Sequence, residues 1–272
     1  MLNFMLTTIF QIKNQFFNFK TYRSYDWLHL VLLIINAFVP FFVIALAILS
    51  SVRKNSGAYF WFTNLDNWTQ QSNLLACFFV FMAFFKPNHR FFKNHHFLMW
   101  VMVYLFVTFI FSNVYVIFQL SGLLSTQIGH NVIQINPSSL GGIIYVPVNN
   151  SSPAIFFVFF SILMHLVNPL FFIVFGFLKM RLLKINYQTK LLYFLFYGSI
   201  YPMIYITYMI YIPWSGFEDN YKNSSYSVYG PLTQTKYNHF TWLWFIPLAA
   251  MFPISGWAVW AIDHMKPKKV KT

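Results

Sequence analysis

Residues 27–50 read WLHLVLLIINAFVPFFVIALAILS, a run with no Lys, Arg, Asp or Glu. An α-helix needs about 20 consecutive apolar residues to cross the hydrocarbon core of a bilayer, and this run supplies them. Pro40 interrupts it, which neighbouring helices tolerate in a membrane. Comparable runs follow at residues 59–85, 97–120, 154–178, 191–211 and 240–262. The second can begin at Tyr59 or at Trp68, because aromatic residues fill the interval between them. The pattern predicts an all-α fold, a polytopic membrane helical bundle with six transmembrane helices spanning residues 27–262. Residues 1–26 read as a cytoplasmic or interfacial segment. Lys13, Lys20 and Arg23 are scattered there among Phe and Leu, with no small-residue cleavage site, which suits an amphipathic surface helix better than a signal peptide. Residues 263–272 read as a basic cytoplasmic tail.

Composition agrees. Of the 272 residues, 58% are hydrophobic and 8% charged, whereas a soluble domain carries about a quarter charged. The mean hydropathy is positive, at +0.56. The net charge of +13 does not mark a nucleic-acid binder, because the basic residues lie in short segments between apolar runs and form no basic domain. Their distribution gives orientation instead. Fourteen of the 18 Lys and Arg fall in the N-terminus, the segments around 86–93 and 179–190, and the C-terminus; four fall in the alternate segments. Positive charge favours the cytoplasmic side, so both termini are expected there.

Other signals are thin. The single cysteine, Cys77, has no partner for an internal disulfide. His89, His95 and His96 sit in a basic loop suited to anionic headgroups, and Asp263-His264 to a local ion pair with the Lys-rich tail. The segment 121–152 has no charged residue and reads as a hairpin or a dip into the interface, with turn signals at Gly141-Gly142 and Asn149-Asn150. No phosphate-binding or dinucleotide motif, paired catalytic carboxylates or solenoid repeat is present, so neither a metal nor a cofactor is expected.

Polar residues inside apolar runs are the informative ones, since removing them from water costs free energy unless they find partners. One cluster is Thr69-Gln70-Gln71-Ser72-Asn73 at the head of the second run. Thr69, Ser72, Asn73 and Ala76 fall at i, i+3, i+4 and i+7 and share one helix face. Hydrogen bonding between helices, or capping by Asp66 or Asn67, explains such residues without any catalysis. The other cluster is His165 with Asn168 and Pro169. Pro169 lacks a backbone donor and crowds the carbonyl four residues earlier, that of His165, so the helix is expected to be disturbed there. A freed carbonyl, Asn168 and the imidazole would then form one polar pocket. Counting from Ala154, His165 lies ~17 Å into its span; counting from Tyr59, Thr69 lies ~15 Å into its own. A start at Trp68 would spoil that match. A hydroxyl within reach of an imidazole is the arrangement of nucleophilic catalysis, with Ser72 or Asn73 orienting the base or donating to an oxyanion.

The stretches Trp68-Thr69-Gln70-Gln71-Ser72-Asn73-Leu74-Leu75 and His165-Leu166-Val167-Asn168-Pro169 resemble the bacterial six-span relatives of the androgen-inducible membrane protein family. Those relatives carry an F-T-x-Q-S-N-L-L-like stretch in the second helix and H-x-x-x-P in the fourth; here Trp68 stands where Phe is usual. Characterised animal members of the family are threonine hydrolases that cleave fatty-acid esters of hydroxy fatty acids inside the membrane. The resemblance implies Thr69 as nucleophile and His165 as its base. Thr63 is a reserve nucleophile, because Phe62-Thr63-Asn64-Leu65 also resembles the animal pattern. The implied partners are membrane lipids and a fatty-acyl ester substrate. Two other readings stay open at the level of sequence. A small-solute carrier or channel would line a path with Asn73, His165 and Asn168. A noncatalytic membrane scaffold would leave Thr69 and His165 facing apart.

Overall fold

The computed structural model describes residues 24–53, 67–86, 89, 95–120, 159–160, 162–182, 190–214 and 241–264. Within them the chain is all-helical: α1 (Ser24–Arg53), α2 (Trp68–Phe85), α3 (His95–Leu120), α4 (Asn168–Leu182), α5 (Leu191–Trp214) and α6 (Thr241–His264). A single π-helical turn, Leu163–Val167, leads into α4. In hydrocarbon every backbone polar group must be paired within the protein, and a helix does so along one segment. Five stretches of these helices are long and apolar enough to cross a membrane: Trp27–Ala45, His96–Val114, Leu163–Met180, Leu191–Met209 and Phe245–His264. The remaining helix, α2, opens on the polar residues Thr69 to Asn73 and is apolar only beyond them.

The outward faces suit lipid rather than water. Ile34, Phe41, Leu192, Phe196, Ile246 and Ile254 are all exposed, and polar residues are turned inward instead. Among the described residues, Asn36, Ser72, Asn73 and Asn168 have no accessible surface at all. That inversion is the architecture of a membrane protein.

The bundle is organised around α3, which packs against α2, α4 and α6; α1 lies along α2 and α4, and α5 along α6. Its span is 61% buried inside the bundle, against 28% for that of α5. Small residues on the neighbours make room for the large side chains of α3. A methyl group at Gly198 on α5 would overlap the Trp100 indole, and one at Gly176 on α4 would overlap Met102. With no hydrophobic drive between helices in lipid, such close backbone approach supplies the packing attraction. The Trp100 indole donates to Phe194 O at 3.2 Å, and the Tyr104 hydroxyl to Gly198 O at 2.8 Å.

Two sequence expectations change here. Of the two starts open to the second helix, the structure has Trp68, with Asn67 ahead of it in extended conformation (φ −69°, ψ 135°). The disturbance expected beside His165 takes the form of the π-helical turn, in which the Asn168 N–H bonds Leu163 O, five residues back. The N-terminal segment up to residue 23, the uncharged segment 121–152, Glu218 and Asp219, and the tail beyond His264 lie outside the described residues.

Candidate functional site

Thr69 occupies the first turn of α2, and that turn is anchored by Trp68. The indole packs against Tyr104, Tyr201, Tyr205 and Phe252, with ring centroids 4.8–5.4 Å apart. Its N–H donates to Tyr104 O at 3.2 Å. A phenylalanine, usual at this place in the resembled pattern, has no such donor. Three residues on from Trp68, Gln71 accepts a hydrogen bond from the Tyr201 hydroxyl through Oε1. The first turn of α2 is thereby held against α3, α5 and α6.

His165 sits within the π-helical turn and is buried. Its Nε2 lies 3.1 Å from the Thr69 hydroxyl oxygen, a hydrogen bond joining residues 96 positions apart. The depth count from Tyr59 put the two at one level and expected a start at Trp68 to spoil the match, which it does not. It assumed that both helices enter at one level, whereas the contact is set by lateral packing.

Asn73 fixes both partners. Its Nδ2 donates to Thr69 O at 2.7 Å and to Met164 O at 3.0 Å. In a π-helical turn the donor to a carbonyl is five residues on. For Met164 that residue is Pro169, which has no N–H. The carbonyl freed by the proline is therefore that of Met164, not His165 as the α-helical count implied, and the Asn73 amide satisfies it. Both amide hydrogens of Asn73 are engaged in this way, so it is a positioning residue rather than an oxyanion donor. Ser72 is likewise turned to structural partners: its hydroxyl meets Thr69 O at 3.1 Å and the Thr108 hydroxyl at 2.8 Å. Thr108 in turn bonds Tyr104 O at 3.0 Å.

Asn168 does not join the imidazole in one pocket, as the sequence suggested. Its Nδ2 donates to Asn73 Oδ1 at 2.7 Å and to Asn36 Oδ1 at 3.3 Å, while its Oδ1 accepts from Asn36 Nδ2 at 2.9 Å. Asn36 also donates to Leu32 O at 2.9 Å. Three buried asparagines thus tie α1, α2 and α4 together behind the threonine–histidine pair. Asn36 escaped the sequence reading; its signal was a lone amide within residues 27–50. Thr63, the reserve nucleophile, and Asp66, a candidate cap, lie outside the described residues.

Thr69 and His165 line a narrow, partly open cavity with about 30 Å³ of room for water-sized spheres. The first turn of α2, from Asn67 to Gln70, forms one wall, and Phe111, Phe160, Leu248 and Phe252 make much of the rest apolar. Asn73 and Asn168 are not among its lining residues. Asn67 stands at the helix N-cap but makes no capping bond. Among the described residues, neither its Oδ1 nor the Oε1 of Gln70 has a hydrogen-bond partner, and both are buried. Gln71 N–H to Asn67 O, at 3.1 Å, is the first bond of the helix, so the N–H groups of Trp68, Thr69 and Gln70 have no acceptor within it. Among the described residues, no three His, Cys, Asp or Glu gather as metal ligands would.

Residues 155–269 match a family described as "Protein of unknown function (DUF1600)". This segment holds His165 and Asn168 but begins well after Thr69. Similarity to whole chains is broader. An uncharacterised protein of Mycoplasma genitalium, MG133, is 33% identical over 236 residues, covering 84% of this chain and 86% of that one. A second protein of that organism, MG452, is 29% identical over 241 residues, covering 86% and 80%. Its Mycoplasma pneumoniae homologue is 26% identical over 236 residues, covering 85% and 82%. No solved structure matches. At that identity and coverage, the chain belongs to the family of the Mycoplasma genitalium protein MG133.

Proposed function

We propose that the chain is an intramembrane lipid-ester hydrolase of the cell membrane, with six spans and both termini in the cytoplasm, in which Thr69 is the nucleophile and His165 its base. The observation that carries this is the 3.1 Å contact between the Thr69 hydroxyl and His165 Nε2 at the wall of a largely apolar cavity. A threonine hydroxyl is a weak nucleophile until a base within hydrogen-bond reach accepts its proton. With Nε2 as that acceptor, the imidazole carries its own proton on Nδ1.

In this reading Thr69 Oγ1 attacks the acyl carbonyl carbon while its proton passes to His165. The oxyanion that forms faces the first turn of α2, where N–H groups without helical acceptors and the positive end of the helix dipole favour negative charge. Collapse breaks the bond to the alcohol oxygen, which takes the proton from His165 and leaves. Water then attacks the acyl–Thr69 ester, giving its proton to His165, and the fatty acid departs as the threonine oxygen is reprotonated. Substrate enters laterally from the bilayer.

Two further observations favour the enzyme over its rivals. A carrier lined by Asn73, His165 and Asn168 requires those amides to face a solute path, but the two asparagines bond to each other, away from the cavity. A scaffold needs no contact between Thr69 and His165. The test is fatty-acid release from a long-chain ester by the purified protein in detergent. His165→Gln is expected to lower kcat by about 10²–10⁴-fold, the usual contribution of a general base. Less than a tenfold loss, in a variant of unchanged folding, contradicts the assignment.

A further inference from the structure

Asn67 and Gln70 flank Thr69 in the chain and line the same cavity, yet their side-chain carbonyl oxygens are buried without partners among the described residues. The two residues are only 5% and 3% exposed. A carbonyl oxygen accepts hydrogen bonds and cannot donate them, and buried polar groups are ordinarily paired, so each exception calls for its own explanation. Two buried acceptors that lack partners among the described residues, one on either side of the nucleophile, leave room for two donors on a bound molecule.

With the first-turn N–H groups of α2 given to the ester carbonyl, the wall argues against a further anionic group on the ligand. Among the described residues that line the cavity, none is Lys or Arg. A carboxylate is itself an acceptor only. Brought into this cavity it would find no cation and would face two unpaired carbonyl oxygens in a medium of low dielectric, where charge without a partner is most costly. Fatty-acid esters of hydroxy fatty acids carry such a carboxylate. A neutral ester with free hydroxyls on its alcohol part avoids the conflict and satisfies both acceptors. The rings of Phe111, Phe160 and Phe252 line the cavity and give an acyl chain an apolar wall to follow.

Resting on the hydrolase reading of this site, we propose that Asn67 Oδ1 and Gln70 Oε1 accept hydrogen bonds from hydroxyls on the alcohol part of the substrate, so that the substrate class is a neutral polyol ester of the monoacylglycerol type. Two hydroxyls next to the ester match two acceptors next to the nucleophile. The ester carbonyl is then left to the N–H groups of the first turn of α2.

The full-length protein in detergent is assayed on three esters of one acyl chain: the 1-monoacylglycerol, the methyl ester, and the ester of a hydroxy fatty acid with its carboxylate free. The monoacylglycerol is expected to lead the other two in kcat/KM by at least tenfold. In Gln70→Leu and Asn67→Leu its lead over the methyl ester is expected to shrink at least fivefold. A second arm measures binding without turnover. A 1-O-alkylglycerol ether, which cannot be hydrolysed, is expected to raise the thermal midpoint of Thr69→Ala, and the added Gln70→Leu change is expected to diminish that rise. If esters are cleaved without preference, or the carboxylate-bearing ester leads, the substrate assignment is overturned and the hydrolase reading stands. If no ester is cleaved but the ether binds through Gln70, the hydrolase reading falls and recognition of hydroxyls stands. If the ether shifts both proteins alike, water alone satisfies the two carbonyls and the assignment is overturned.

Discussion

If Thr69 is the nucleophile, Thr69→Ala is expected to lower ester turnover by about 10³-fold or more, because it removes the atom that would form the covalent intermediate. Thr69→Val keeps the shape of the side chain without the hydroxyl and should fail equally, which separates chemistry from packing. Thr69→Ser keeps the hydroxyl beside His165 Nε2 and should retain measurable turnover. A nucleophile and its base act in one step, so on the proposed mechanism the Thr69→Ala/His165→Gln double variant should be little worse than the poorer single one; groups that cooperate in one step are strongly non-additive. Multiplicative losses, or a fully active Thr69→Val, would show that the 3.1 Å contact is structural.

Asn168→Leu is expected to be among the most destabilising single changes in the bundle. It removes the donor to Asn73 Oδ1 and both contacts with Asn36, leaving buried oxygens unpaired. A buried group that loses its partner costs about 1–3 kcal/mol, although side-chain hydrogen bonds between membrane helices average only ~0.6 kcal/mol. The larger figure applies here because Asn73 would be left with an empty acceptor inside the protein, where lipid and water do not reach it. The midpoint of unfolding in mixed detergent and dodecyl sulfate reads the loss. Adding Asn36→Leu removes one of the orphaned groups, so the double variant should be less destabilised than the two single losses together. Strict additivity would show that the asparagines do not act as one network. Asn168→Leu should also lower turnover, since Asn73, once released, no longer holds Thr69 O and Met164 O in register.

The helices of this bundle were legible because lipid imposes a demand that composition reveals: residues 27–50 cannot be covered by water, and in hydrocarbon the backbone must coil. The start of α2 was not legible. Tyr59 to Phe62 are as apolar as the helix itself, and although Asp66 and Asn67 were both candidate caps, the local sequence did not choose a start at Trp68 over one at Tyr59. At the site, Thr69 and His165 could be singled out because each is polar within an apolar run, a rare and costly condition. Their mutual distance could not be read, and counting depth from assumed helix starts was the wrong ruler, since packing sets the relative level of neighbouring helices. Pro169 signalled a break beside His165, but choosing between donors four and five residues on depends on tertiary contacts. The freed carbonyl therefore fell on Met164, beside Asn73, one residue from where an α-helical count put it. Asn36 and Thr108 were visible as lone polar residues but had no local cluster to draw attention; only the meeting of helices gives them a role.

The decisive measurement is the site of covalent capture. Purified wild-type protein is treated with a long-chain fluorophosphonate, digested, and the phosphonylated residue located by mass spectrometry. The adduct is expected on Thr69, absent in Thr69→Ala and strongly diminished in His165→Gln. An adduct on some other residue, or labelling indifferent to both changes, would mean that the threonine and histidine beside the cavity hold the helices together and do no chemistry.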